Sequence, residues 1–168
     1  MMLIGGRSFS GHEKNVLYLN ANGAGSPRFA DISAVSGWNV DDDGRAVCAT
    51  DYDFDGDVDF FTVNRTSPQV RLLRNDTPPD GSFLALKLVG KTCNRDAIGA
   101  RVDVHLAGAP PLTRSLRAGE GFLGQSGKWL GIGLGPDPRI ERLVVRWPGG
   151  AAEEIAGAAP GGHWRVEQ

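Results

Sequence analysis

A chain of 168 residues with 40% hydrophobic content and a formal charge of -2 has material for one sizeable core or two small ones, which excludes a disordered polymer. Lys and Arg are scattered, with no run or face to neutralise phosphates, so nucleic acid is not expected as a partner. No apolar run approaches the ~20 residues of a membrane span, and Met1-Met2-Leu3-Ile4 is too short for a signal-peptide core, so neither a membrane span nor an export signal of its own is expected.

The 24 glycines and 10 prolines break the apolar stretches into short pieces, which predicts many strands joined by turns and an all-β class. In chain order, Asn15-Val16-Leu17-Tyr18-Leu19-Asn20 predicts a short strand closing on Asn. The segment Asn20-Ala21-Asn22-Gly23-Ala24-Gly25 fits a hairpin connection. Asp31 is placed to cap one helical turn from Ile32 to Gly37. Asp41-Asp42-Asp43-Gly44 reads as a turn, and the β-branched and aromatic residues of 45–50 and 58–63 predict strands on either side of a loop. Val70-Arg71-Leu72-Leu73-Arg74-Asn75 repeats the strand closing on Asn, at about the spacing of one propeller blade.

That loop, Asp51-Tyr52-Asp53-Phe54-Asp55-Gly56-Asp57-Val58-Asp59, carries five aspartates in nine residues. Alternate carboxylates curled about a glycine can aim at one centre, and a calcium ion takes six to eight oxygen ligands of this kind. Asp51, Asp53, Asp55 and Asp59 are the predicted side-chain ligands, and Asp57 is predicted to contribute its backbone carbonyl. An EF-hand would place a bidentate Glu at position 12 between two helices; position 12 here is Thr62, and the flanks predict strands. Magnesium fits less well, because it demands strict octahedral geometry and keeps its waters. Without an ion the carboxylates would repel one another. The alternative is a solvated acidic turn.

The second half again predicts strands, at residues 84–89, 100–105 and 143–147, punctuated by glycines. The expectation is an antiparallel β-sandwich or partly closed barrel, completed by Trp164 and Val166. Cys48 and Cys93 have no framework spacing, so Cys48 reads as a small core residue. His12, His105 and His163 stand far apart in no zinc motif. Ser126, in Gly124-Gln125-Ser126-Gly127, does not match the Gly-x-Ser-x-Gly elbow. No catalytic residue is named, and the chain is expected not to be an enzyme. Asn94, Arg95 and Asp96 are the candidate ligand-binding cluster, since a guanidinium presented beside a strand can meet a carboxylate or sugar. The alternative is a turn with an Asx hydrogen bond and an internal Arg-Asp pair. Trp147 reads as a core or rim anchor.

The order of the strand closing on Asn20, a Gly-rich turn, Phe29-Ala30-Asp31-Ile32, an Asp-Gly turn and the loop from Asp51 to Phe60 resembles an FG-GAP, or VCBS, repeat. That resemblance implies calcium bound within a β-propeller blade, as in integrin α-chains. The first hairpin has Asn20, Asn22 and Gly23 where the family has an acidic residue, so metal binding is not carried over to it. Further on, the segments Asn94-Arg95-Asp96-Ala97-Ile98-Gly99-Ala100-Arg101-Val102, Ala118-Gly119-Glu120-Gly121-Phe122-Leu123-Gly124-Gln125-Ser126, Gly131-Ile132-Gly133-Leu134-Gly135 and Val145-Arg146-Trp147-Pro148-Gly149-Gly150 resemble an ASPIC/UnbV domain. Gly127-Lys128-Trp129 departs from the acidic or prolyl residue more usual there, so what that loop recognises is expected to differ here. The whole is similar to the C-terminal part of cartilage acidic protein-like proteins.

The expected organisation is therefore an FG-GAP/VCBS-type repeat region with its calcium loop over residues 1–83 and an ASPIC/UnbV-like β domain over 84–168. A propeller closes only when several blades meet, so the chain is expected to be the C-terminal piece of a longer polypeptide, its upstream blades among its partners. The isolated piece is expected to dimerise, aggregate or pack its blade against the terminal domain. An extracellular or periplasmic location is expected, through an upstream signal, with calcium held at an affinity on the order of 10⁻⁴ to 10⁻³ M. The expected function is a non-catalytic, calcium-binding β module for adhesion, scaffolding or protein or glycan binding. The alternative is an accessory protein of a bacterial biosynthetic pathway, since UnbV-type proteins are associated with enediyne antibiotic loci, or part of a hydrolytic enzyme.

Overall fold

The structure, a computed structural model, describes residues 11, 13–21 and 28–168. Met1-Met2-Leu3-Ile4, His12 and the predicted hairpin turn at Asn22, Gly23, Ala24 and Gly25 lie outside the described residues. The described residues form twelve strands and no helix, in sheets of which none closes into a barrel, so the all-β reading holds and the barrel alternative does not. No helix among them is long and apolar enough to cross a membrane. The chain divides into two compact units, Met1–Val47 with Phe61–Leu73 and Cys48–Phe60 with Arg74–Gln168.

In the first unit, β1 (Tyr18–Asn20) and β2 (Phe29–Asp31) pair antiparallel, with Tyr18 opposite Asp31. The carboxylate of Asp31 accepts the backbone N–H of Ser33 at 2.9 Å, and the Ser36 N–H reaches the Ile32 carbonyl at 2.9 Å. Gly37, at φ +78, ends the segment after that single turn, so Asp31 caps one turn and no helix follows. A three-stranded sheet runs in the order β3 (Gly44–Thr50), β4 (Asp59–Asn64), β5 (Val70–Leu73).

The bend at residues 41–44 does more than reverse the chain. Asp42, 5% exposed, receives the Arg71 guanidinium on both carboxylate oxygens, with Nη2 3.0 Å from Oδ1, and the side-chain amide of Asn64 at 3.2 Å. A buried carboxylate needs such partners because removing it from water costs several kcal/mol, on the order of what a good ion pair returns.

The second unit holds two sheets. One has the order β11 (Ala152–Ile155), β10 (Ile140–Arg146), β7 (Arg101–Leu106), β8 (Leu112–Ser115). The other runs β12 (Gly162–Glu167), β6 (Ser82–Val89), β9 (Trp129–Gly135). Alternate residues of both sheets fill one core: Leu84, Leu86 and Leu88 from β6, Ile132 from β9, Val102 and Val104 from β7, Leu143 and Val145 from β10. Each fully buried Leu or Val stabilises the sandwich by about 1.5–3 kcal/mol relative to exposure. Trp147 is buried at 4% exposure, and its indole N–H donates to Glu153 at 2.7 Å, so it is a core anchor. Cys48 and Cys93 are both free thiols.

The expected all-antiparallel arrangement fails at one edge. β12 lies parallel to β6, Gly162 opposite Leu84 and Glu167 opposite Val89. A period of two in hydrophobicity tells which face of a strand is buried and nothing about its direction, so the sequence pattern could not have shown this.

Candidate metal centre

Between the end of β3 and the start of β4 the chain turns within the second unit through residues 51–58, using Phe54 at φ +62 and Gly56 at φ +101. Gly56 backs onto Phe83 so closely that a Cβ there would collide with the ring. The loop then folds its backbone N–H groups onto its own carboxylates. Asp51 Oδ2 accepts the Gly56 N–H at 3.1 Å, and Asp55 Oδ1 accepts that of Asp57 at 3.1 Å. Asp59, with 0% exposure, accepts the Tyr52 N–H at 2.7 Å on one oxygen and the Asn75 N–H at 2.8 Å on the other. These bonds fix where each carboxylate points, as donors to a carboxylate do.

The result is convergence. Asp51, Asp53 and Asp59 each offer one oxygen, and the three lie within 4.8 Å of one another. Asp55 and Asp57 stand outside that set. Asp51 Oδ1 and Asp57 Oδ1 are buried and accept no hydrogen bond, the condition in which a carboxylate oxygen lacks its compensation for leaving water. The Asp57 carboxyl is pushed up to about 6, first by burial and then by the negative charges of Asp55, Asp59, Asp53 and Asp51. Arg74 reaches Asp53 at 3.7 Å, but its other nitrogen is 2.7 Å from Asp76. An all-oxygen donor set with unsatisfied buried oxygens fits a hard cation such as calcium and does not fit a soft metal.

Residues remote in sequence fasten this loop to the sandwich of the same unit. His163 on β12 places Nε2 3.1 Å from Asp51 Oδ2. Phe54 sets its ring edge-on against Trp129 and His163, with centroids 6.3 and 5.2 Å apart. At the root of the loop the Ser126 hydroxyl accepts the Ala49 N–H at 3.1 Å, and the Gly127 N–H donates to the Ala49 carbonyl at 2.9 Å. His163, Asn75 and Ser126 are site residues that sequence reasoning did not assign. Two had a signal: Asn75 closes the repeated strand pattern, and Ser126 ends one of the glycine-rich motifs.

The candidate cluster Asn94, Arg95 and Asp96 lies in a turn before β7, all three exposed. Asn94 spends its side chain within that turn, accepting the Ile98 N–H at 2.7 Å and donating to the Ile98 carbonyl at 2.9 Å. His105 lies on β7, 3.5 Å from the Arg142 guanidinium.

Residues 90–168 match the family described as ASPIC and UnbV. That span takes in β7 to β12 and therefore His163, Ser126 and Trp129, but not the aspartate loop. No curated protein is similar enough to the chain to count as a match.

Proposed function

We propose that this chain is a non-catalytic β module stabilised by calcium, in which an FG-GAP/VCBS-type blade segment carries the ion and the ASPIC/UnbV domain presents a surface to a protein or glycan ligand. The observation that supports this reading is the convergence of Asp51, Asp53 and Asp59 beside two buried carboxylate oxygens that accept no hydrogen bond. When bound, the ion supplies the positive charge that the loop's own residues do not. The chain's part is orientation: the N–H groups of Tyr52, Gly56 and Asn75 aim the carboxylates, and His163 holds Asp51 from the far side. Such a site couples ion binding to local folding rather than to bond-making. A natural setting outside the cytoplasm, with further blades upstream as neighbours, belongs to the same proposal.

Calorimetric titration of chelator-treated protein with calcium, with magnesium as control, tests it. Calcium at about 100 times its dissociation constant adds about 2.7 kcal/mol of stability, a rise of about 5–10 °C in Tm for a chain of this size. Asp53→Ala combined with Asp55→Ala, both exposed side chains, removes that rise. A calcium-dependent rise that survives the double substitution refutes the ligand assignment.

A further inference from the structure

A cleft of about 200 Å³ opens in the second unit beside the aspartate loop. Asp51 and Asp57 line it together with Arg114 of β8, Arg117 just beyond that strand, Glu120 and Trp129. Arg117 and Glu120 are exposed, and their side chains engage no other group among the described residues. They stand ready for a ligand without breaking a bond that holds the fold.

The charges in the lining select the ligand. With the loop's ion in place, a strongly anionic group entering the cleft still meets the carboxylates of Asp57 and Glu120, and a cationic one meets two guanidiniums. A neutral molecule that carries both donors and acceptors satisfies both kinds of group at once. Carboxylates only accept, guanidiniums only donate in a planar fork, and a hydroxyl does either. Neighbouring hydroxyls on a ring can therefore bridge from Asp57 or Glu120 to Arg114 or Arg117, while the hydroxyls of Thr50 and Ser115 in the same lining extend the pattern. Trp129 adds apolar surface to the lining, its ring already packed against Phe54 and His163 with the Lys87 ammonium 5.9 Å from its centroid. The volume lies below the ~300–1,000 Å³ of pockets for drug-sized ligands, which suits one ring and no more.

From this we infer that the cleft binds a neutral, polyhydroxylated ring, namely one hexose unit of a glycan. The inference deepens the proposed function and rests on it in one respect: Asp51 and Asp57 line the cleft only while the loop keeps its shape.

The experiment is saturation-transfer NMR and titration of the full chain with the methyl glycosides of glucose, galactose and mannose in calcium, beside a thermal melt of the same sample with and without calcium. At least one glycoside binds saturably, glucuronate and glucosamine bind more weakly than their neutral counterpart, and Arg117→Ala and Glu120→Gln each weaken binding by about fivefold or more. No glycoside binding in a sample that calcium stabilises overturns the glycan inference and leaves the cation reading standing. Binding that both substitutions leave unchanged overturns the assignment of this cleft, and tighter binding of an acidic peptide than of any glycoside overturns the ligand class. A sample that calcium does not stabilise sinks the cation reading, while its glycoside titration is scored in the same way for the cleft.

Discussion

Asp42 and Asp57 are aspartates drawn out of water some fifteen residues apart in sequence, yet the Arg71 guanidinium holds the first below the ordinary carboxylate range while burial and four neighbouring carboxylates push the second up to about 6. Around Asp42 the chain provides the counter-charge itself, through Arg71, together with the amide of Asn64. Around Asp57 it provides more carboxylates. Where an acidic residue serves the fold alone, its partner is built in; the loop from Asp51 to Asp59 gathers five of the same residue type against only His163 beside Asp51 and Arg74, shared with Asp76, beside Asp53, and that is why it reads as a place for something from outside.

The comparison is most easily broken at Arg71. Arg71→Met leaves Asp42 buried with a hydrogen-bond donor but no opposite charge, and the expected result is the largest loss of stability of any substitution considered, the same with and without calcium. Urea unfolding in both conditions measures it, and a calcium-dependent loss would mean that the two acidic clusters are not independent. Gly56→Ala sharpens the other side. A side chain at φ +101, pressed on Phe83, strains the loop by about 1–3 kcal/mol, and the calcium-induced rise in Tm should shrink with it. A full-sized rise in that variant would show that the turn at Gly56 does not shape the site.

The smallest effect is expected at Asp103, a third kind of case. Burial alone would raise its carboxyl, but hydrogen bonds from Thr113, Arg101 and Arg146 outweigh that and leave it below the usual range. A lowered folded-state value means stability that is present above the unfolded value near 3.8 and is lost as pH falls through the folded one. Asp103→Asn should therefore lower stability slightly near neutrality and make the decline below about pH 4 shallower, so that parent and variant converge in acid, as followed by thermal melts from about pH 7 downward. A parent and variant with parallel acid limbs would show that the three donors do not lower the group.

How much of this was legible depended on distance along the chain. The strand, loop and strand of residues 45–63 were readable because their signal is local, a glycine among alternate aspartates between two β-branched runs, but the same spacing did not tell that only Asp51, Asp53 and Asp59 converge. The strands were readable because burial leaves a period of two. What closes the site was not readable, since His163 lies 112 residues from Asp51, Ser126 lies 77 from Ala49, and nothing in composition links them. Asp42 looked like a turn residue for the same reason, its guanidinium being 29 residues away. The direction of β12 was hidden by the symmetry of the alternating pattern, which reads the same both ways.

The parallel seating of β12 on β6 has a consequence in time. A ribosome delivers β6 long before β12, so during synthesis the leucine-rich β6 exists with one flank unpaired and awaits a partner that arrives only after the four-stranded sheet has been made. Nascent chains of this domain therefore pass through a window in which that flank is open to any passing strand, and the pace of translation through residues 90–161 sets how long the window lasts. His163 arrives with the same strand, so the aspartate loop gains its contact from the sandwich at the moment the window shuts.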